Sequence, residues 1–312
     1  TNSPGLSKGS DVMWEPTGDR ALFVYRDGAS SETFFRYFLY DISANQWQAI
    51  EDGTHCLLTE GGTGTIEVVT SLNVAEDSAG PCTFGTAVKA NISGITLAPN
   101  PANSQIMVLA SNELTLALSP EIFRWNGDAN ATWLTQTATM GSIEADNSPG
   151  TLPMYGYRPL AYDFAFRDSG ADSTGLFLYD EDGANEAAPR YRTWSGTDLG
   201  SESSLTASEA LADADEAMHS IIEAAPTRDE YVAGMLTASG DLVIQVWNGS
   251  SWGYGTGAPT NGVFQSGVGT TNAVFRSFDI SYENTSGDAL VVYEDSSATN
   301  GILKCCTWNG TT

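Results

Sequence analysis

The tripeptide Trp-Asn-Gly returns along this chain, each time at the end of a short run rich in Val, Ile, Leu and Tyr. It stands at Trp125-Asn126-Gly127, Trp247-Asn248-Gly249 and Trp308-Asn309-Gly310, with Trp194-Ser195-Gly196 a looser copy. A second Trp follows two of these, Trp133 and Trp252. Asn-Gly accepts the positive φ angles of a tight hairpin, so Trp-Asn-Gly-x-x-Trp predicts two antiparallel strands joined at that turn. A unit of this length cannot bury its own apolar face, and copies must therefore stack. The chain is confined to one repetitive all-β body, in which most of the conspicuous residues are scaffold.

Longer matches surround the tripeptide. WEPTGDRALFVYRD, from Trp14 to Asp27, aligns with YENTSGDALVVYED, from Tyr282 to Asp295, and a third copy runs from Tyr162 to Asp182. In each, an apolar strand closes in Tyr and an acid. A second kind of repeat reads LAPNPANSQIMVLA, from Leu97 to Ala110, and AAPTRDEYVAGMLT, from Ala224 to Thr237. The order is first, second, first, second, first, which suggests duplication of a two-unit ancestor. Helix signals are poor. Only Ser208 to Ala225, with ALADADEAM, has helix-favouring composition, and it overlaps the next repeat.

With these repeats and turns the chain resembles secreted prokaryotic β-propeller repeat proteins that carry Trp-Asn-Gly turns. The resemblance covers nearly the whole chain. It implies one domain over residues 1–312, a β-propeller of five or six four-stranded antiparallel blades, and no particular activity. The Asp-box of sialidases is not present in register, and the Trp-Asp signature of WD-repeat proteins is absent. The marker aromatics fall at Tyr40, Trp125, Trp194, Trp247 and Trp308. The first interval is too long for one blade, so residues 51–93 are expected to hold an insertion or a degenerate sixth blade. The last blade is expected to be one strand short. Its edge needs a cover, because an open edge invites pairing. Thr1 to Ser10 is the candidate strand, placed in cis or donated to a neighbour.

Charge narrows the partners. With 39 acidic and 13 basic residues the formal net charge is -26, and the only lysines are Lys8, Lys89 and Lys304. Nucleic acid and anionic membrane are poor partners for such a field, and cations are better ones. No apolar span is long enough for a membrane helix. Thr1 reads as a processed or trimmed end, and abundant Ser, Thr, Gly and Asn suit an extracellular or cell-surface protein. Glycosylation sequons begin at Asn91, Asn130, Asn248, Asn284 and Asn309; two of them are the hairpin turn itself. Cys56 and Cys82 lie in the inserted segment and are placed to close it as a loop. Cys305 and Cys306 are adjacent on a predicted strand and point to opposite faces. They either form a vicinal disulfide or leave one sulfur for the insertion.

A catalytic constellation is missing. There is no Gly-x-Ser-x-Gly elbow and no Gly-rich phosphate loop, and the only histidines are His55 and His219. Glu15 and Glu283 stand beside Trp14 and Tyr282, yet they occupy one position in two repeats, which marks a scaffold feature. The unrepeated loops say more. Asp180, Asp182, Asn185 and Glu186 offer the oxygens a hard cation such as calcium requires. Tyr155, Tyr157, Trp252 and Tyr254 are the aromatics that could stack on a sugar. These residues predict a non-catalytic extracellular structural or adhesive protein that assembles with copies of itself into a filament or surface layer. The alternatives are a glycan-binding lectin and, third, a glycoside hydrolase.

Overall fold

The structure, a computed structural model, describes residues 10–26, 35–43, 45–48, 59–61, 65–67, 92–112, 121–125, 127, 133–135, 161–167, 174–180, 189–205, 217–237, 239–253, 263–268, 276–295 and 301–311. Within them the chain is all-β, built from antiparallel meanders of the kind that form propeller blades. The first sheet runs in order through β1 (Ser10–Trp14), β2 (Arg20–Arg26), β3 (Phe35–Asp41) and β4 (Gln46–Gln48). A small hairpin follows, β5 (Thr59–Gly61) with β6 (Thr65–Glu67). The second sheet comprises β7 (Ile92–Pro99), β8 (Ile106–Asn112), β9 (Glu121–Trp125) and β10 (Trp133–Thr135). The third has β11 (Tyr162–Phe166), β12 (Gly175–Tyr179), β13 (Arg190–Trp194) and β14 (Ser203–Ser204). The fourth joins β15 (Ala217–Ala224), β16 (Tyr231–Thr237) and β17 (Leu242–Trp247), with β18 (Trp252–Gly253) and β19 (Val263–Gln265) both pairing β17. The last described sheet is β20 (Phe278–Tyr282), β21 (Ala289–Asp295) and β22 (Ile302–Trp308).

Two turns give each meander its shape. At the first, a backbone N–H reaches five residues ahead: Glu15 to Arg20, Asn100 to Gln105, Ala225 to Glu230 and Glu283 to Asp288, all at 2.8–3.0 Å. Arg167 bonds Thr174 in the same way across a longer loop. At the later turn, Trp125, Trp194, Trp247 and Trp308 pair across to Ile106, Gly175, Tyr231 and Ala289, and Tyr40 pairs to Ala21 in the same place. The glycines that follow, Gly127, Gly196, Gly249 and Gly310, have φ of +67, +98, +91 and +89°. That backbone is cheap for glycine alone. The turn expected at Trp247 is present: Trp247 pairs Trp252, the Asn248 N–H bonds Ser251 O, and the Asn248 Oδ1 accepts from the Ser250 and Ser251 amides.

The chain divides into two compact units, residues 1–115 with 119–139 and residues 116–118 with 140–312. In the first unit the core is carried by Leu22, Val24, Leu39, Ile95, Ile106, Val108 and Trp125. In the second, β12 and β16 are buried at every position, so they read as continuous apolar runs rather than as alternation. One core lies between the third and fourth sheets, around Leu176, Leu178, Ile222 and Met235, and another between the fourth and fifth, around Val232, Leu242, Ile280 and Val291.

Successive sheets are also joined by aspartates. Counting back from the first turn, Asp11, Asp163 and Asp279 hold one position, four residues before Glu15, Arg167 and Glu283. The Asp11 Oδ1 accepts its neighbour's N–H, Val12, at 3.0 Å, while its Oδ2 accepts the Leu97 N–H of the second sheet at 2.9 Å. Asp163 repeats this with Phe164 at 2.9 Å and with Ile222 of the fourth sheet at 3.0 Å. The second-kind sheets carry Thr96 and Ile221 at that position, with no carboxylate of their own. One first-kind Asp thus satisfies the inner strands of two sheets.

Some expectations change here. The segment with helix-favouring composition becomes strand from Ala217 on, because β15 is buried between sheets and tertiary burial overrides propensity. Ser10 is not available as a donated strand; it pairs Tyr25 in its own sheet, and residues 1–9 lie outside the described ones. The first and second sheets meet directly through Asp11 and Leu97; of residues 51–91 only β5 and β6 are described. Cys305 and Cys306 pair Val292 and Val291 and point to opposite faces as expected; among the described residues both are free thiols, and Cys56 and Cys82 lie outside them.

Candidate functional site

The junctions where a Trp-x-Gly turn meets a first turn gather polar and aromatic side chains. In the first unit this cluster is saturated. Arg20 grips the Glu15 carboxylate with Nε and Nη2, both at 3.0 Å, and its Nη2 also donates to Gly127 O at 2.7 Å. The Trp125 indole donates to Glu15 Oε1 at 2.8 Å, and the Arg20 guanidinium lies 6.0 Å from its ring. Glu15 is 3% exposed, so it is the polar tie of a junction and not an available carboxylate. Glu283 takes the same place in the last sheet but is exposed. Hydrogen bonds from Ser286 and Thr285 hold its carboxyl down at about 2.

The corresponding cluster in the second unit is built differently. Arg228 and Glu230 come from the turn before β16, Tyr282 from the end of β20, and Trp308 from the end of β22. Arg228 Nη2 donates to Glu230 Oε1 at 2.8 Å and to Gly287 O at 2.7 Å. The Tyr282 hydroxyl donates to the same Glu230 oxygen at 2.9 Å. Burial and the Glu230 charge push the Tyr282 pKa up, so it stays a donor. The guanidinium rests in a cradle of two glycines with positive φ. A Cβ at Gly287 would stand 3.1 Å from Arg228 Nη1, and one at Gly310 would stand 3.0 Å from Nε. Among the described residues two donors here have no partner: Arg228 Nε and the Trp308 indole N–H. In the first junction the equivalent indole, Trp125, is bonded to a carboxylate. Arg228, Tyr282 and Trp308 are each only partly buried. An arginine, a tyrosine and a tryptophan with spare donors beside a buried carboxylate can meet hydroxyls and stack on an apolar ring face.

Of the aromatics and metal ligands expected from sequence, the structure describes Trp252 and Asp180, and both fall elsewhere. Trp252 is 5% exposed and packs edge-on against Trp247 and Tyr191, with centroids at 5.6–5.8 Å between each pair, so it is core and presents no face to a sugar. Tyr155, Tyr157 and Tyr254 lie outside the described residues. Asp180 is not on a solvated loop: it is 2% exposed, and its Oδ2 accepts the Ala217 N–H at 2.6 Å, tying the third sheet to the fourth. Asp182, Asn185 and Glu186 lie outside the described residues, as do Cys56, Cys82, Asn91 and Asn130. Among the described residues no group of three His, Cys, Asp or Glu is arranged to hold a metal ion. Asn248, Asn284 and Asn309 are exposed on turns. Sequence reasoning missed Arg228 and Glu230, which it met only as part of the second-kind repeat from Ala224 to Thr237. The one signal was an arginine, scarce in this chain, placed beside an acid in a first turn.

No family model and no curated protein matches the sequence. Solved structures match in fold alone. The SapL1 lectin, solved with alpha methyl fucoside, is 11% identical over 99% of this chain and 80% of its own, with a TM-score of 0.47. The six-bladed β-propeller lectin of Aleuria aurantia is 12% identical over 97% and 78%, with a TM-score of 0.44. A polysaccharide lyase of family PL25, an ulvan lyase, is 10% identical over 98% and 70%, with a TM-score of 0.46.

Proposed function

We propose that this protein is a non-catalytic extracellular glycan-binding protein, and that it holds a neutral sugar at the junction of Arg228, Glu230, Tyr282 and Trp308. The observation that carries the reading is the pair of spare donors, Arg228 Nε and Trp308 Nε1, in a cluster whose counterpart in the first unit is fully bonded. Unbonded donors in a low-dielectric junction are costly, and ring hydroxyls would satisfy them. A net charge of -26 disfavours sulfated, uronic or sialylated ligands, which leaves neutral hexoses and deoxyhexoses as the class. One of the lectins compared was solved with alpha methyl fucoside and another has a novel fucose recognition mode, so fucosides belong in the screen.

The test is a glycan array of neutral and anionic sugars, followed by titration of each hit with the Trp308→Phe variant, which keeps the ring and removes only the indole N–H. Binding of a neutral glycan, weakened about tenfold by the variant, is expected; one lost hydrogen bond of ~1.4 kcal/mol gives that factor. Binding indifferent to Trp308, or turnover of a glycoside, would refute the reading. Assembly of copies into a filament or surface layer is a second reading. Its support is the outer strand β22, on which Ile302 and Leu303 are exposed. Sedimentation over a range of concentrations tests it.

A further inference from the structure

Gln245 holds a repeat position that the scaffold fills in another way. It stands on β17, two residues before Trp247. Two residues before Tyr40, Trp125 and Trp308 the chain carries Phe38, Phe123 and Cys306, so the position does not call for an amide. Arg192, two before Trp194, is polar but engaged: it donates to the Tyr179 hydroxyl at 3.1 Å, to Gly200 O at 3.0 Å and to Glu202 Oε2 at 3.3 Å. Gln245 is 0% exposed, and neither its Oε1 nor its Nε2 has a partner among the described residues. Side chains alternate along a strand, so Gln245 shares a face with Val243 and Trp247, which pack in the core between the third and fourth sheets. Across β16 and β15 it lines up with Ala233 and Ile222 of that core. In the next row on the same face Ser220 lines up with Met235 and Val243. Ser220 is 5% exposed, and its Oγ likewise has no partner among the described residues. Three other members of this core are small, Ala165, Ala217 and Ala233.

We propose that Gln245 and Ser220 form a binding site for ordered water inside the core between the third and fourth sheets. An amide taken into apolar surroundings with both ends unbonded is costlier than the apolar side chain that other sheets use at this position. Its carbonyl oxygen accepts and its nitrogen donates, and the Ser220 hydroxyl does both. A simple ion would match only the donors or only the acceptors of this pair. Water matches both halves, and it is small enough for a place where Gln245 has no exposed surface. The third sheet is already tied to the fourth by the Asp163 bond to the Ile222 N–H, and the water adds a second polar tie to the same junction. The inference does not rest on the sugar reading, which concerns the junction of the fourth sheet with the fifth.

The sign of one substitution decides between a hydrated amide and an orphaned one. Gln245→Met keeps the length of the side chain and removes the amide. If the amide binds water, the variant loses those bonds and the Tm should fall by about 2–4 °C. If the amide has no partner at all, removing it relieves a penalty and the Tm should rise. Ser220→Ala should lower the Tm of the unaltered protein, yet change it little in the Gln245→Met background, because the water they share is already gone. A second readout needs no variant: a crystal structure of the unaltered protein should show water within hydrogen-bond distance of the Gln245 amide and of Ser220 Oγ. A Tm that rises or stays level in Gln245→Met, losses that simply add in the double variant, or a crystal structure with no water at the amide would each overturn the proposal.

Discussion

Glu223 shows what stacking does to one side chain. It sits on β15, and burial raises its pKa to about 8, with the Asp163 and Asp279 charges pushing the same way and Arg276 opposing them. In the unfolded chain its ordinary value is 4.5. The folded state therefore favours the protonated acid. That stabilising contribution is complete below pH 4.5 and is lost as pH rises through about 8. The urea midpoint of the wild-type protein should fall between pH 5 and pH 8.5 more steeply than that of Glu223→Gln, which has no proton to lose; parallel curves would remove this account. The sequence shows Glu15 and Glu283 to be the same repeat position, but not their different fates. Glu15 is taken up by Trp125, 110 residues away in sequence, whereas Glu283 is held by its own turn. Long-range partners of this kind leave no local pattern.

The strands and turns were the legible level. Asn-Gly and the Tyr-plus-acid strand ends located the hairpins because a positive φ and a pleated, covered surface restrict residue choice locally. The aspartates were equally visible as letters, yet their role was not, since each repeat was read by itself while the bond joins two. Asp11→Asn tests that bond. Its nitrogen would confront the Leu97 N–H, donor against donor, at a cost of about 1–3 kcal/mol for the unsatisfied pair. Chemical denaturation should show a loss of that size for Asp11→Asn. A loss within error would mean that water replaces the carboxylate at no cost. Trp252, the expected sugar aromatic that the structure describes, failed for a related reason: whether it faces solvent or Tyr191 depends on the neighbouring sheet, and periodicity does not report it.

At the scale of the molecule, the -26 charge works against compaction. Adding potassium chloride from 10 to 500 mM should raise the Tm by screening that repulsion. A gain of ~1 kcal/mol corresponds to about 2–4 °C for a body of this size, and a flat or falling Tm would show that the acidic groups are already well separated. The two-handed aspartates have a consequence for how such a chain changes length over time. Removing a single repeat strands either a carboxylate without its second amide or an amide without its carboxylate. Removing two adjacent repeats leaves every account between neighbours settled. Gene rearrangements that add or delete an even number of repeats should therefore be tolerated and odd ones selected against: a parity rule for this lineage, written into one oxygen atom per pair of repeats.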